Sequence, residues 1–505
     1  MWNEKLLIVL LFTLGIVSRA PFIESMQSHW DGPQFSIAVS SYDFSQETPA
    51  PPGYPLYIFF GLLLNHYIYD PHQSLLVLSV LLSGITSVFF YVGGKIIFSR
   101  RVGIIASVLY LTSPTFYFFG LTPYPYIMTP LVSVSLAIIC YLIIVKKERL
   151  GLILGAITAL GIGVRPQDSI ILFPLALYAF INLNYKQKLF SFLIFLIFFL
   201  VWFVPQLIVV GGIETYFSSL SKSLESGAIT PFSFDKLLTQ ISRSVKGFGL
   251  TFGIASLSVP IFLIQIIPYL RRKNIITNKI IFFLLWIMPS VLFTMFIRND
   301  HAGYQMTYLS AFVLVIAYIL TILFKKREML LYITVLIVAM FNLFWFFRNR
   351  DPYFSKPYIP TSFHYSEIIK NDLQMKQKVT YIQKNFDPYN TVIITSSQYF
   401  RPTMYHLPQY EVFSYGVLET KEKEFSSIAR IGKNFRREEY VQENSHVVFD
   451  NSVSTIVFFD REVSDIVKNE GFVHKLLYNA TMVSLSHKYG NVYIIGYKTF
   501  EVSHE

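Results

Sequence analysis

The chain has 505 residues, of which 53% are hydrophobic, 17% aromatic and only 14% charged, with a mean hydropathy of +0.48. That is too apolar and too long for one water-soluble domain, and it marks a polytopic membrane protein. The formal net charge of +11 sits in short basic clusters between apolar runs, the pattern that orients a membrane protein, so nucleic acid is set aside as a partner. The single cysteine, Cys140, lies inside an apolar run, which excludes a disulfide framework and a cysteine-based metal site.

In chain order, the first apolar run covers residues 5–23. Its Ser18-Arg19-Ala20 end is reminiscent of a signal-peptide cleavage site, yet Glu4 accompanies Lys5 before it and Pro21 follows at once. A retained signal-anchor helix is expected. Further runs lie at about 75–97, 102–120, 124–145, 150–164, 169–184, 189–210, 249–270, 278–297, 304–324 and 329–347. Most approach the ~20 residues a spanning helix needs, giving about eleven spans. Arg100-Arg101, Lys146-Lys147-Arg149, Lys186-Lys188, Arg271-Arg272-Lys273 and Lys325-Lys326-Arg327 are assigned to the cytoplasm, with the N-terminus inside and the C-terminus outside.

The apolar stretch 54–69 is read as an outer juxtamembrane or re-entrant helix, because a crossing there would put every later basic cluster on the wrong face. Runs 150–164 and 169–184, parted by "RPQD", read as half-length helices meeting near the outer side. The expected architecture is a polytopic α-helical membrane module over residues 1–347, with outer loops at 24–74 and 211–248. An extracytoplasmic soluble α/β domain follows over 348–505.

Within that tail, "VTYIQKNF", "TVIIT", "HVVFD", "TIVFFD", "EVSDIVKNE" and "NVYIIGYK" alternate helix-like and strand-like patterns. It has no Gly-rich phosphate loop, no HExxH and no nucleophile beside an evident base. Acceptor choice rather than donor chemistry is therefore its expected task. Asn479-Ala480-Thr481 is an N-glycosylation sequon, a triplet common by chance.

The first outer loop opens with "HWDGPQFSIAVSSYD", residues 29–43, and runs on to "TPAPPGYPLY". Phe35, Ala38, Val39 and Tyr42 fall at helical spacing with Gln34, Ser36, Ser40 and Ser41 between them, predicting a short interfacial helix that starts at Asp31. Asp31 has a structural reading as the cap of that helix.

Residues 29–57 resemble the first outer loop of the type C glycosyltransferases, integral membrane enzymes that use lipid-phosphate sugars. The resemblance is strongest to the GPI-mannosyltransferase branch, where a Trp-Asp pair opens the loop and a Pro-Gly-aromatic-Pro segment closes it; elsewhere the likeness is architectural. It implies that Asp31 is the catalytic acid, that Trp30 is its aromatic neighbour, and that the sugar, mannose in that branch, is transferred by a single inverting displacement. Two departures limit it. The tail lacks the Trp-Trp-Asp signature of oligosaccharyltransferases, which argues against whole-oligosaccharide transfer, and it is larger than that branch leads one to expect, so no acceptor identity carries over.

The chemistry fits independently. Moving a sugar from a polyprenyl phosphate to a hydroxyl needs a base for the incoming hydroxyl and a cation for the departing phosphate. A phosphate leaves as an anion, so one acid suffices, unlike the pair used in glycoside hydrolysis. Asp43 is the second candidate, for acceptor or metal, against the reading of a solvated loop acid. For the phosphate the candidates are Arg165, Arg298 and His301, with Tyr304 nearby; Arg165 has the competing role of an ion pair with Asp168. The expected partners are a polyprenyl-phosphate sugar, membrane lipid, and a protein, lipid or glycan acceptor, with dependence on a divalent metal left open. The rival reading from another class is a flippase or transporter of lipid-linked sugar. It is disfavoured because spans such as 75–97 and 329–347 carry almost no ionisable groups inside.

Overall fold

The computed structural model describes residues 3–28, 31–44, 48–223, 234–262, 264, 278–297, 301–348, 364–419, 424–431, 438–441, 455–460, 480–487 and 490–497, and the structural statements below concern these. The chain divides into two compact units. One comprises Met1–Ile23 with Ala38–Glu367, and the other Glu24–Ile37 with Ile368–Glu505. The second unit thus takes in residues 24–37, which the sequence analysis placed within the membrane module.

The first unit is helical. Eight helices are long and apolar enough to cross a membrane, and three shorter apolar helices, Pro55–Ile68, Gly151–Val164 and Pro166–Ile181, accompany them. The chain is an integral, multi-pass membrane protein. The run at 102–120 is broken into α5 (Arg100–Thr112) and α6 (Pro114–Phe119), because Pro114 can start a helix but cannot continue one. The run at 249–270 belongs to a helical stretch that begins earlier, at Phe234, and is described to Phe262.

The helices α1 (Glu4–Val17) and α4 (Pro71–Ile97) meet through small residues: a Cβ on Gly15 would lie 2.5 Å from Gly84 Cα. That close approach lets Ser87 Oγ donate to Leu11 O at 2.9 Å, the kind of contact that holds helices together in lipid. The proline-rich segment before α3 (Pro55–Ile68) turns at Gly53, whose φ of +97° favours glycine and whose Cβ would meet Tyr42 Oη at 2.2 Å. Gln206, on α10 (Tyr185–Val210), pins this turn by donating to Pro52 O at 2.8 Å.

The second unit is α/β. Its seven-stranded sheet has the order β4-β3-β2-β1-β5-β7-β6, with β1 (Thr391–Ser396), β2 (Glu411–Glu419), β3 (Glu424–Ile431), β4 (Glu438–Val441), β5 (Thr455–Phe458), β6 (Ala480–His487) and β7 (Gly490–Tyr497). Strand β1 is parallel to both β2 and β5 and every other pairing is antiparallel. The parallel β1–β2 pair needs a crossover, supplied by α17 (Ser397–His406). Four of the six predicted tail segments are described: "VTYIQKNF" ends α16 (Tyr365–Asn385), while "TVIIT", "TIVFFD" and "NVYIIGYK" supply β1, β5 and β7. "HVVFD" and "EVSDIVKNE" lie outside the described residues.

Residues 24–37 are tied into this unit by part-buried hydrogen bonds and by one core side chain. Ser25 donates to Asp372 Oδ2 through its backbone N–H and its hydroxyl, Gln27 N donates to His406 Nε2 at 3.1 Å, and Ile37 joins the core with Met375, Phe400 and Val457.

Candidate active site

Helix α2 (Asp31–Ser40) begins at the expected acid, with Asp31 in its first turn. Two of its polar positions are buried, Gln34 at 4% exposure and Ser36 completely, while Ser40 is exposed. A buried amide must be hydrogen-bonded at both ends, and Gln34 is. Its Nε2 donates to Asp31 Oδ1 at 3.0 Å, and its Oε1 accepts from Arg401 Nη1 at 3.0 Å. Arg401, on α17, is 2% exposed. The chain Arg401–Gln34–Asp31 therefore orients one carboxylate oxygen through two buried side chains, all within the second unit. The tail, expected to act on acceptor choice alone, supplies the far end of this chain. Trp30 lies outside the described residues.

Asp43 belongs to the first unit, partly exposed and held by its backbone. It exchanges both main-chain hydrogen bonds with Thr48, at 2.8 and 2.9 Å, and its carbonyl also accepts from Thr48 Oγ1.

A second cluster, also within the first unit, gathers Arg165, His301 and Tyr304 around Tyr126. Arg165 is the single residue between α8 (Gly151–Val164) and α9 (Pro166–Ile181), extended because Pro166 follows it. The guanidinium is 1% exposed and pairs with Asp168 Oδ1 at 2.9 Å, so the ion-pair role open in the sequence is the one observed. Its Nη1 also reaches Gly303 O at 3.4 Å, and Thr129 and Thr307 hydroxyls donate to Asp168. The aromatic rings of Tyr126 and Tyr304 cover it at 4.3 and 5.1 Å from their centroids, offsetting part of the cost of burying a cation.

His301 stacks on Tyr126 with ring centroids 4.6 Å apart. Its Nδ1 accepts from Gly303 N at 3.1 Å, which in the neutral ring leaves the proton on Nε2 as a donor. Gly303 is required by packing, since a Cβ there would fall 2.1 Å from the Tyr126 ring. Arg298 lies outside the described residues.

Sequence reasoning missed three buried ionisable sites. Arg19 is fully buried beneath Tyr117, at 4.6 Å from that ring, and donates to Leu111 O and Ser18 Oγ. Glu24 and Asp372 form an acidic pair in the second unit, and Lys378 is buried further along α16 from Asp372. An arginine closing an apolar run was the visible signal for the first; the others carry none. Among the described residues no group of three or more His, Cys, Asp or Glu side chains is arranged to hold a metal ion.

Residues 50–209 match the sequence model of the dolichyl-phosphate-mannose-protein mannosyltransferase family, about a third of the chain. No curated protein matches the sequence. Among solved structures, ArnT from Cupriavidus metallidurans bound to undecaprenyl phosphate is similar at 10% identity, covering 97% of each chain with a TM-score of 0.53. The Archaeoglobus fulgidus oligosaccharyltransferase in complex with Zn and sulfate is matched at 11% identity over 96% of this chain and 72% of that one, with a TM-score of 0.46. The chain has the fold of the type C membrane glycosyltransferases, as the first-loop resemblance implies.

Proposed function

We propose that this protein is a glycosyltransferase that moves one sugar, mannose, from a polyprenyl phosphate to an acceptor hydroxyl at the extracytoplasmic face of the membrane. The observation that carries this reading is the mannosyltransferase family match at residues 50–209 within a chain similar in fold to ArnT over 97% of its length. The similar structure with undecaprenyl phosphate bound supports a polyprenyl-phosphate donor.

Asp31 takes the proton of the acceptor hydroxyl. The acceptor oxygen forms the new bond to the anomeric carbon on the face opposite the phosphate, and the old carbon–oxygen bond breaks with its electron pair leaving on polyprenyl phosphate. Gln34, held by Arg401, ties one oxygen of that carboxylate. On the phosphate side, Arg298 supplies a charge that persists at every accessible pH, and His301 supplies a hydrogen bond from Nε2. Arg165, neutralised by Asp168, holds the Tyr126 and Tyr304 rings rather than the phosphate.

The test is release of polyprenyl phosphate by purified full-length protein given a panel of polyprenyl-phosphate sugars with candidate acceptors. Release from the mannose donor is expected. Movement of intact donor across proteoliposomes without release would instead make the protein a flippase.

A further inference from the structure

The second unit contains a cavity that the reaction above does not use. It is lined by Ser28, Asn371, Gln374, Lys378, Gln398 and Tyr399, drawn from the segment before α2, from α16 and from the start of α17. Lys378 is the anomaly in it. Lysine is among the residues least often buried without a partner, yet Lys378 is 8% exposed. Its Nζ lies over the rings of Tyr399 at 4.7 Å and Phe459 at 4.6 Å. Among the described residues it makes no ion pair and no hydrogen bond. Burial pushes its ammonium down to about 8, with the Asp460 carboxylate opposing that shift. Two aromatic faces offset only part of the desolvation of an ammonium group, so an anion entering the cavity would gain a strong, poorly screened contact.

We propose that this cavity seats an oxyanion, a phosphate or carboxylate borne by a glycan acceptor, on the Lys378 ammonium; that the anion belongs to the acceptor rests on the transferase reading above. The placement supports it. Helix α17 carries Gln398 and Tyr399 in the cavity wall and, within the same helix, Arg401, the residue that holds Gln34 against Asp31. Ser28 enters the cavity three residues before Asp31 in the chain. The anion seat and the acid thus belong to one unit, with Lys378 on α16 facing the wall that α17 supplies. Around the cation the lining is amide, hydroxyl and aromatic apart from Met375, and amides, hydroxyls and aromatic rings are the groups that bind sugar hydroxyls and stack on sugar faces.

The experiment uses the full chain in nanodiscs. Cyanate modifies neutral amines, and its attack on Lys378, followed by peptide mass spectrometry, is measured with inorganic phosphate, with acetate and with chloride at equal ionic strength. Phosphate, acetate or both should slow modification of Lys378 several-fold while other lysines are unaffected, and whichever protects names the group. Phosphate or acetate should also raise the thermal midpoint of wild type and of Lys378→Arg, but not of Lys378→Met. In transfer assays Lys378→Met should raise KM for an anionic acceptor and not for a neutral one. Equal modification of Lys378 in all three salts, or an equal thermal shift in Lys378→Met, overturns the anion site. Failure of wild type to release polyprenyl phosphate while the anion still protects Lys378 would overturn the transferase reading and leave the seat standing.

Discussion

Arg401 and Asp31 grip opposite ends of one buried amide: Gln34 accepts from Arg401 and donates to Asp31, each at 3.0 Å. The acid that the sequence singles out is positioned from the C-terminal domain.

Two substitutions at Gln34 test that coupling. Gln34→Leu removes both hydrogen bonds and should cost about 1–3 kcal/mol, since Arg401 is left buried without this acceptor, and it should lower kcat more than it raises KM. Gln34→Glu keeps an acceptor for Arg401 but sets a second carboxylate beside Asp31, disfavouring its charged form. The acid limb of the kcat/KM–pH profile should then move to higher pH. A purely structural Gln34 would leave that limb where it is.

The Arg165–Asp168 pair is expected to act as a unit. Asp168→Asn leaves a cation that is 1% exposed without its counter-charge, and loss of about 3–5 kcal/mol is expected. Replacing both, as Arg165→Met with Asp168→Leu, should recover most of the loss in thermal unfolding in detergent. A double variant as unstable as the single would mean that the aromatic cage, rather than the pair, needs the guanidinium.

Stability of the second unit should fall as pH rises. Burial, and then the neighbouring Glu24, holds the Asp372 carboxyl up to about 7, against the pull of the Ser25 and Met26 hydrogen bonds, and burial also raises Glu24. The folded state therefore binds these protons more tightly than the unfolded chain. Stability is fullest below the ordinary carboxylate range and is lost as pH climbs through about 7. Amide exchange in α16 should accordingly be slower at mildly acid pH than at mildly alkaline pH, and Asp372→Asn should flatten the difference. Exchange protection that grows with pH would contradict the assignment.

What the sequence made legible followed from local rules. The apolar runs located the helices, Pro166 after Arg165 marked the join of α8 and α9, and Gly32-Pro33 after Asp31 marked the start of α2. Pro114 was equally visible, yet a continuous apolar run hid the break it makes between α5 and α6. The helix from Phe234 starts before its apolar run because its first turns are amphipathic, with polar and apolar residues alternating around one cylinder. Long-range placement was not readable. Gln34 and Arg401 stand 367 residues apart, and nothing local in residues 24–37 says that their amides and hydroxyls are completed by α16 and α17. Arg165 could be read as clamp or as ion pair, and the structure shows the pair with Asp168.

The central claim is that Asp31 is the base in transfer from a polyprenyl-phosphate sugar, and one comparison tests it most directly: the rate of polyprenyl phosphate release by wild type and by Asp31→Asn. Asparagine still accepts from Gln34 and still suits a helix start, so folding and thermal midpoint should be unchanged. Turnover should fall about 10²–10⁴-fold, the usual contribution of a general base. Release at the wild-type rate by a folded Asp31→Asn protein would contradict the account and reduce Asp31 to a structural residue at the start of α2.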